Sequence, residues 1–284
     1  MAQLDKFYTK PHVAKECLNF LYDRFSIIKT MTFIEPSAGN GSFSSLIENC
    51  IALDIKPEAP NIKEQDFFTF TPEPGDYVTF GNPPFGKRSK MAIDFFNHAA
   101  TYSKIIAFIV PVSFMKWGVQ KELASGWHLY DYFYLKENSF TDKNKDFSVR
   151  CVFQIWTKED CGKNYRLLKS PPISHSDFSL WQYNATPQAF NYIDEDWDYA
   201  VYRQGYKDYT KIFTKEDYDD VYNMMLGNIQ FFFIKPKNET AKHFILEDAD
   251  FTALAERNTA TPGFGKADFV SYYTEYLQKN KEGA

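Results

Sequence analysis

Asp76-Tyr77-Val78-Thr79-Phe80-Gly81-Asn82-Pro83-Pro84-Phe85-Gly86 is the stretch on which the reading of this chain turns. Residues 76–80 form an apolar run rich in β-branched and aromatic side chains, the pattern of a buried strand. Two consecutive prolines end such a strand at once, because neither can donate to a ladder and each fixes φ. The Asn82 amide and the carbonyls of Asn82 and Pro83 are thereby set on a stiff turn at the strand's C-terminal end. Phe85 follows, with Gly86 behind it. This combination suits a planar group that carries an amine. An amide oxygen and a carbonyl accept its two N–H hydrogens, and the ring stacks on its face. Asn-Pro is also ordinary turn punctuation, so these residues alone leave a plain turn open.

Working outward, Met31-Thr32-Phe33-Ile34 reads as a short buried strand. It runs into Glu35-Pro36-Ser37-Ala38-Gly39-Asn40-Gly41-Ser42-Phe43, after which Phe43, Leu46 and Ile47 open a helical spacing. Strand, small-residue turn and helix make the first half of a βαβ unit. Gly39 and Gly41 would admit a ligand against the backbone, although Gly-x-Gly alone is a weak signal. Residues 50–54 form a second strand ending in Asp54. An acid at such a tip commonly holds a ribose diol; a surface aspartate capping the next turn is the alternative. Asp66-Phe67 closes the following extended stretch.

Downstream of Gly86, Lys87, Arg88 and Lys90 precede a helix with Ala92, Phe96 and Ala99 on one face. Residues 104–111 are the clearest buried strand, Val119 and Leu123 mark its partner helix, and 128–135 and 150–157 read as two further strands. Before the first strand, Pro11 starts a helix faced by Val13, Cys17 and Leu21. The alternation predicts a doubly wound α/β domain over residues 1–158. Residues 159–284 predict a smaller α+β subdomain. It has an irregular aromatic-rich stretch over 181–213, a helix opening at Thr214-x-x-Asp217, a strand over 229–234, and a last helix striped by Phe269, Tyr273 and Tyr276.

Composition bounds the rest. Across 284 residues, 44% are hydrophobic and 24% charged, ordinary for a globular protein, while 18% aromatic content points to stacking surfaces as well as core. The net charge of −5 argues against a generic nucleic-acid clamp. From Glu159 onward, Lys and Arg number 14 against 20 Asp and Glu, which leaves about +1 on the first 158 residues. A polyanion would therefore have to follow a local stripe. The four cysteines, Cys17, Cys50, Cys151 and Cys161, form no CxxC pair, so a reduced cytoplasmic setting without a zinc site is expected. No signal peptide and no membrane-spanning run are read, and no membrane partner is expected.

With these residues in hand, the chain resembles the S-adenosylmethionine-dependent adenine-N6 methyltransferases, in the permutation where cofactor motifs precede the catalytic one. The match covers roughly residues 5–158 and lies in an ordered set of motifs: Lys6-Phe-Tyr-Thr-Lys-Pro11, Glu35 to Phe43, Asp54, Asp66-Phe67, Asn82-Pro-Pro-Phe85 and Ile109-Val-Pro-Val-Ser-Phe114. The resemblance implies a Rossmann-like sheet with a closing antiparallel strand, and S-adenosyl-L-methionine as cofactor without a metal. Tyr8 and Thr9 would hold its methionine end, with Gly39 and Gly41 beneath. Glu35, with Pro36 and Ser37, would lie near its ammonium, Asp54 and Ile55 at its ribose, and Asp66 and Phe67 at its adenine. Asn82, Pro83, Pro84 and Phe85 would act on the target base, which is stacked on Phe85 and on Phe140.

Lys87 and Arg88, with Lys90, Lys143, Lys145 and Arg150, are candidates for phosphate contact. Arg203, Lys207 and Lys211, interleaved with Tyr202, Tyr206 and Tyr209, are candidates for base reading in 159–284; a packed tyrosine cluster is the other reading. The implied partner is DNA in a bacterial or phage-infected cell, in restriction-modification or as an orphan enzyme, with an accessory subunit left open. RNA adenine and protein glutamine-amide acceptors stay open, as does a non-catalytic binding subunit.

Overall fold

The computed structural model describes residues 7–142, 145–206, 208–257 and 261–282, and the chain divides into two compact units, 1–169 and 170–284. In the first, the elements run β1 (Tyr8–Thr9), α1 (Pro11–Arg24), β2 (Thr32–Glu35), β3 (Cys50–Asp54), β4 (Lys63–Glu64), β5 (Tyr77–Gly81) and α2 (Lys90–Ala99). They continue as β6 (Ser103–Pro111), α3 (Trp117–Gln120), β7 (His128–Tyr134), β8 (Phe140–Asp142), β9 (Lys145–Phe147) and β10 (Cys151–Thr157).

Seven of these strands form one sheet in the order β4-β3-β2-β5-β6-β10-β7. The strands from β4 to β6 are parallel, and β10 runs antiparallel to both β6 and β7. This is the doubly wound α/β sheet with a closing antiparallel strand that the sequence predicts. Its order reverses between β2 and β5, because β3 leaves β2 on one side and β5 continues on the other. Open α/β sheets take ligands at such a switch point, outside the C-terminal ends of the strands.

Why the central strands are mostly apolar on both faces follows from their period. Along β6, Ile105, Ala107 and Ile109 join a core with Val13, Cys17 and Leu21 of α1. Ile106, Phe108 and Val110 join another with Ala92, Phe96 and Ala99 of α2. Successive side chains leave opposite faces of a strand, so a sheet covered on both sides favours near-continuous apolar runs. β10 repeats the pattern, with Phe153 and Ile155 on the α1 side and Val152 and Trp156 on the α2 side.

Two local expectations are corrected. The helix expected after Gly41 is a single 3₁₀ turn, Ser44–Leu46, before β3 begins at Cys50. Serines and asparagines there compete for local hydrogen bonds, as when Ser42 Oγ donates to Asn40 Oδ1 at 2.7 Å, and they leave little room for a helix. The helix expected around Val119 and Leu123 is one turn only, with Gly118 inside it and no side-chain cap. The segment joining β7 to β10 is a hairpin, β8–β9, and β1 adds to it: Tyr8 lies opposite Thr141, Thr9 opposite Phe140, and Phe140 opposite Phe147.

The first unit extends to Lys169 because Arg166 anchors the end of its chain. Its guanidinium donates to the carbonyls of Gln120, Leu123, Ala124 and Trp127 at 2.8 to 3.0 Å. The second unit comprises β11 (Phe178–Gln182), α4 (Pro187–Phe190), β12 (Tyr199–Gln204), β13 (Ile212–Thr214), α5 (Tyr218–Leu226), β14 (Gln230–Pro236), α6 (Glu239–His243), α7 (Phe251–Glu256) and α8 (Lys266–Glu282). Its four strands form an antiparallel sheet in the order β11-β14-β12-β13. The stretch expected to be irregular over 181–213 thus supplies much of a sheet, because its rings pack against β14 in an aromatic core. Thr214 and Asp217 form the predicted capping box, the Thr214 amide donating to Asp217 Oδ2 at 2.8 Å. Among the described residues no helix is long and apolar enough to cross a membrane.

Candidate functional site

At the C-terminal ends of β2, β3 and β5, within the first unit, lies a cavity of about 310 Å³. That is at the lower end of the small-molecule range. Five stretches line it: Phe7 to Thr9; the turn after β2; Asp54 to Lys56; Asp66 to Phe68; and Asn82 to Phe85, joined by Met91 and Phe95 of α2.

The turn after β2 is held by its own backbone and by two acids. Gly39 has φ +54°, and a Cβ there would lie 3.1 Å from the Tyr8 ring. Its amide donates to Asp54 Oδ2 at 2.8 Å, while Lys56 N donates to Asp54 Oδ1 at 2.7 Å. Each Asp54 oxygen keeps a second lone pair for a ligand hydroxyl. Glu35 is 2% exposed and accepts from Ser44 N at 2.7 Å. Burial pushes its carboxyl up to about 7; the hydrogen bonds from Ser44 oppose that rise, and the charge of Asp54 adds to it. Tyr8 OH donates to Glu58 Oε2 at 2.6 Å, and Glu58 N donates to Gly39 O at 2.9 Å, so Glu58 ties the N-terminal strand to this turn. Asp66 caps the 3₁₀ turn Phe67–Thr69 by accepting from Phe68 N at 2.9 Å.

Asn82 stands where β5 ends. Its carbonyl accepts from Ser37 Oγ at 3.1 Å. Its Nδ2 donates to Thr9 Oγ1 at 3.2 Å and makes a longer contact, 3.5 Å, with Phe7 O. The Thr9 hydroxyl could meet either end of the amide, but the Phe7 carbonyl can only accept, which places Nδ2 on that side and Oδ1 on the other. That oxygen is buried and has no partner. The chain then turns sharply through Gly86 (φ +67°), Arg88 (φ +54°) and Ser89 (φ +63°), with Ser89 Oγ 2.7 Å from Ser113 Oγ. A Cβ at Gly86 would sit 2.8 Å from Met91 Cβ, so glycine is required for α2 to start where it brings Met91 and Phe95 to the cavity.

The lining includes Tyr8, Thr9, Glu35, Pro36, Ser37, Gly39, Asp54, Ile55, Asp66, Phe67, Asn82, Pro83, Pro84 and Phe85. Gly41 is buried behind it, donating to Ala38 O at 2.7 Å. Phe140, read as a second aromatic for the base, is 1% exposed and sits in the core shared with α1. Lys87 and Arg88 are exposed and are not lining residues. Lys90 pairs with Asp94 at 2.7 Å. Tyr202 and Tyr209 are buried in the second unit's core, while Tyr206 is exposed and stacks on Tyr202 at 3.7 Å. Lys6, Lys143 and Lys207 lie outside the described residues.

Beyond the motif residues Phe7, Ala38, Asn40, Ser42 and Phe43, which are given no role, sequence reading misses Lys56, Phe68, Met91 and Phe95 from the lining. A signal exists for two of them. Met91 and Phe95 stand four apart at the start of the helix that follows the double proline, on one flank of its apolar stripe.

No family model and no curated protein matches the sequence. Among solved structures, the fold is similar to that of a Pyrococcus horikoshii protein proposed to be an RNA methyltransferase, at 17% identity over 55% of this chain and 87% of that one, with a TM-score of 0.44. It is also similar to the 23S rRNA methyltransferase ErmE, at 13% identity over 54% of this chain and 70% of that one, TM-score 0.38. A third is the type IIL restriction-modification enzyme MmeI, solved in complex with DNA, at 12% identity over 78% of this chain and 48% of that one, TM-score 0.36. With scores this low, the fold stands on the strand order and register of the sheet itself.

Proposed function

We propose that the cavity binds S-adenosyl-L-methionine and that Asn82, Pro83, Pro84 and Phe85 present to it the exocyclic amine of an adenine in DNA. The observation that carries this reading is the Asn82 carboxamide oxygen, buried and without a partner on a cavity-lining residue at the end of β5. An unmade buried acceptor costs on the order of 1–3 kcal/mol. An N–H donor on a ligand removes that cost.

The rest of the lining fits the cofactor. Asp66 beside Phe67, Phe68 and Phe95 suits a planar heterocycle with an amine. Asp54 has lone pairs left for vicinal hydroxyls, and Glu35, near neutrality, can ionise beside an ammonium. When bound, the cofactor supplies an electrophilic methyl on a sulfonium.

What the chain itself must do is orient a poor nucleophile, whose lone pair is delocalised into the adenine ring. Accepting the amine hydrogens on Asn82 Oδ1 and the Pro83 carbonyl favours the pyramidal nitrogen and stabilises the positive charge that develops there. Holding that nitrogen in line contributes much of the remaining acceleration. Phe85 stacks on the base, which in a duplex has first to leave the helix. No strong base is asked of the site before transfer. Lys87 and Arg88 are assigned to phosphate contacts, and the second unit to target recognition through Arg203 and Tyr206.

The test is transfer of tritiated methyl from the cofactor to duplex DNA, RNA or protein, followed by digestion. Label recovered as N6-methyladenine from DNA is the expected result. Label confined to RNA or to glutamine would change the acceptor. No label anywhere, with no cofactor binding by calorimetry, would remove the enzyme reading.

A further inference from the structure

We infer that His98 is a positioning residue that determines specificity: its ring holds the turn Asp66–Phe70 against α2, so that the Asp66 carboxylate faces the 6-amino group of the cofactor's adenine and the site takes adenine in preference to its 6-oxo counterpart, hypoxanthine. The inference rests on the cofactor reading proposed above. The need for such a support comes from where the turn lies. Asp66 follows β4, the edge strand of the seven-stranded sheet, which is two residues long and exposed at both. One backbone bond ties the segment to the sheet at its start, from Gln65 N to Asp54 O at 2.9 Å. Within the turn, Phe68 N donates to Asp66 Oδ1, and Thr69 N and Thr69 Oγ1 donate to Asp66 O, at 2.8 to 3.0 Å. These bonds fix its shape but not its place.

Its place is set by α2. His98 Nε2 lies 2.9 Å from Phe70 O. A carbonyl oxygen can only accept, so this nitrogen carries the hydrogen and donates it. The same ring meets Phe67 edge-on, with centroids 4.8 Å apart at 83°, and Phe68 at 5.7 Å and 67°. Phe95, about one turn earlier, stacks on Phe67 at 4.9 Å and 27°. Met91, Phe95 and His98 stand at i, i+4 and i+7, on one face of the helix. Met91 and Phe95 line the cavity and His98 does not, so the helix gives this wall two residues that meet the ligand and one that grips the wall itself. The placement matters because a carboxylate accepts from the amine of adenine but repels the carbonyl oxygen that hypoxanthine presents at the same position. A turn free to shift would carry Asp66 away and lose that distinction.

The experiment compares His98→Phe, which keeps a planar ring for Phe67 and Phe68 but no donor, with His98→Gln, whose side-chain amide can donate in place of the ring nitrogen, in the full chain. Calorimetry reads the affinity for S-adenosylhomocysteine and for its inosine analogue. The parent is expected to prefer the adenine compound about thirtyfold. In His98→Phe the adenine compound should bind about tenfold more weakly and the preference shrink to about threefold, while His98→Gln keeps it within about twofold of the parent's. A merely structural loss lowers both affinities together and leaves their ratio alone. An unchanged ratio in His98→Phe therefore overturns the inference, as does a glutamine variant as indiscriminate as the phenylalanine one. In the ligand-free protein, nitrogen-15 magnetic resonance at pH 9 should show the His98 ring, identified by its absence in His98→Phe, as the Nε2–H tautomer; the Nδ1–H tautomer overturns the inference without any ligand. A parent that binds both compounds equally leaves the cofactor reading standing and removes the role given to His98. A parent that binds neither defeats the cofactor reading, and this inference with it.

Discussion

The two units treat buried polar groups differently. Thr9, Glu35, Thr79, Ser89, Ser103, Gln120, Ser139, Gln154 and Thr157 are the buried polar or charged side chains among the described residues, and all belong to the first unit. The second unit's core is aliphatic and aromatic, and its buried tyrosine hydroxyls find partners, as Tyr209 OH does on Pro262 O at 2.8 Å and Tyr273 OH on Asp177 Oδ2 at 2.8 Å. Much of the first unit's buried polarity is likewise satisfied internally, as in Thr79 with Ser103 at 2.6 Å or Trp156 Nε1 with Gln154 at 3.0 Å. Gln65, Tyr102 and His128 each leave one buried atom unpartnered there, and none lines the cavity; Asn82 does both. A fold tolerates such a cost most readily where a ligand will relieve it. The second unit leaves one such atom among the described residues, Arg203 Nε, whereas the switch point of the first sets an unpartnered acceptor on the lining of a cavity.

The sharpest way to break this contrast is Asn82→Ala. Methyl transfer is expected to fall at least about a thousandfold, with cofactor affinity by calorimetry within about threefold. Equal loss of both would return Asn82 to a structural role. In the second unit, Phe233→Ala should act on stability instead. Phe233 is fully buried and packs on Trp197 at 5.2 Å, so urea unfolding should report a loss of about 3 kcal/mol; a loss below about 1 kcal/mol would mean that this core is loosely packed. Asp54→Ala removes the brace on two turns and a ligand for hydroxyls, and should weaken cofactor binding roughly thirtyfold while leaving bound turnover nearly intact. A matching fall in turnover would place Asp54 closer to the chemistry than proposed.

The smallest effect is one of pH. With its carboxyl raised to about 7, Glu35 is protonated below that value and offers no charge to an ammonium. Binding a cation there then requires proton release. Affinity for the cofactor should therefore rise with pH up to about 7, by at most about tenfold per unit, and level off above it. Calorimetry across pH 5.5 to 8.5 checks the slope, which Glu35→Gln should flatten. A parent slope of the opposite sign would separate Glu35 from the ammonium.

What could be read beforehand followed periodicity. β5, β6 and β10 are buried along almost their whole length and mostly apolar because both faces are covered, and double proline after β5 marks the strand end on which the site is built. The residues that line the cavity from β2, β3 and β5 were legible for the same reason, since strand ends and small-residue turns leave a pattern in sequence. β1, β8 and β9 were not, because strands of two or three residues are too short to show a period. β12 hid within an aromatic-rich stretch for another reason. Tyr199, Ala200, Val201 and Tyr202 do not alternate clearly, since both faces of that strand are packed. Met91 and Phe95 depend on where α2 begins, which the left-handed turn at Gly86 to Ser89 decides.

The brevity of β1 carries a consequence of parity. Neighbouring side chains on an extended segment face opposite ways, and this segment has only two of them, Tyr8 and Thr9. Sliding it one step along Phe140 and Thr141 would exchange a hydroxyl for a phenol in front of Asn82, with most of the sheet undisturbed.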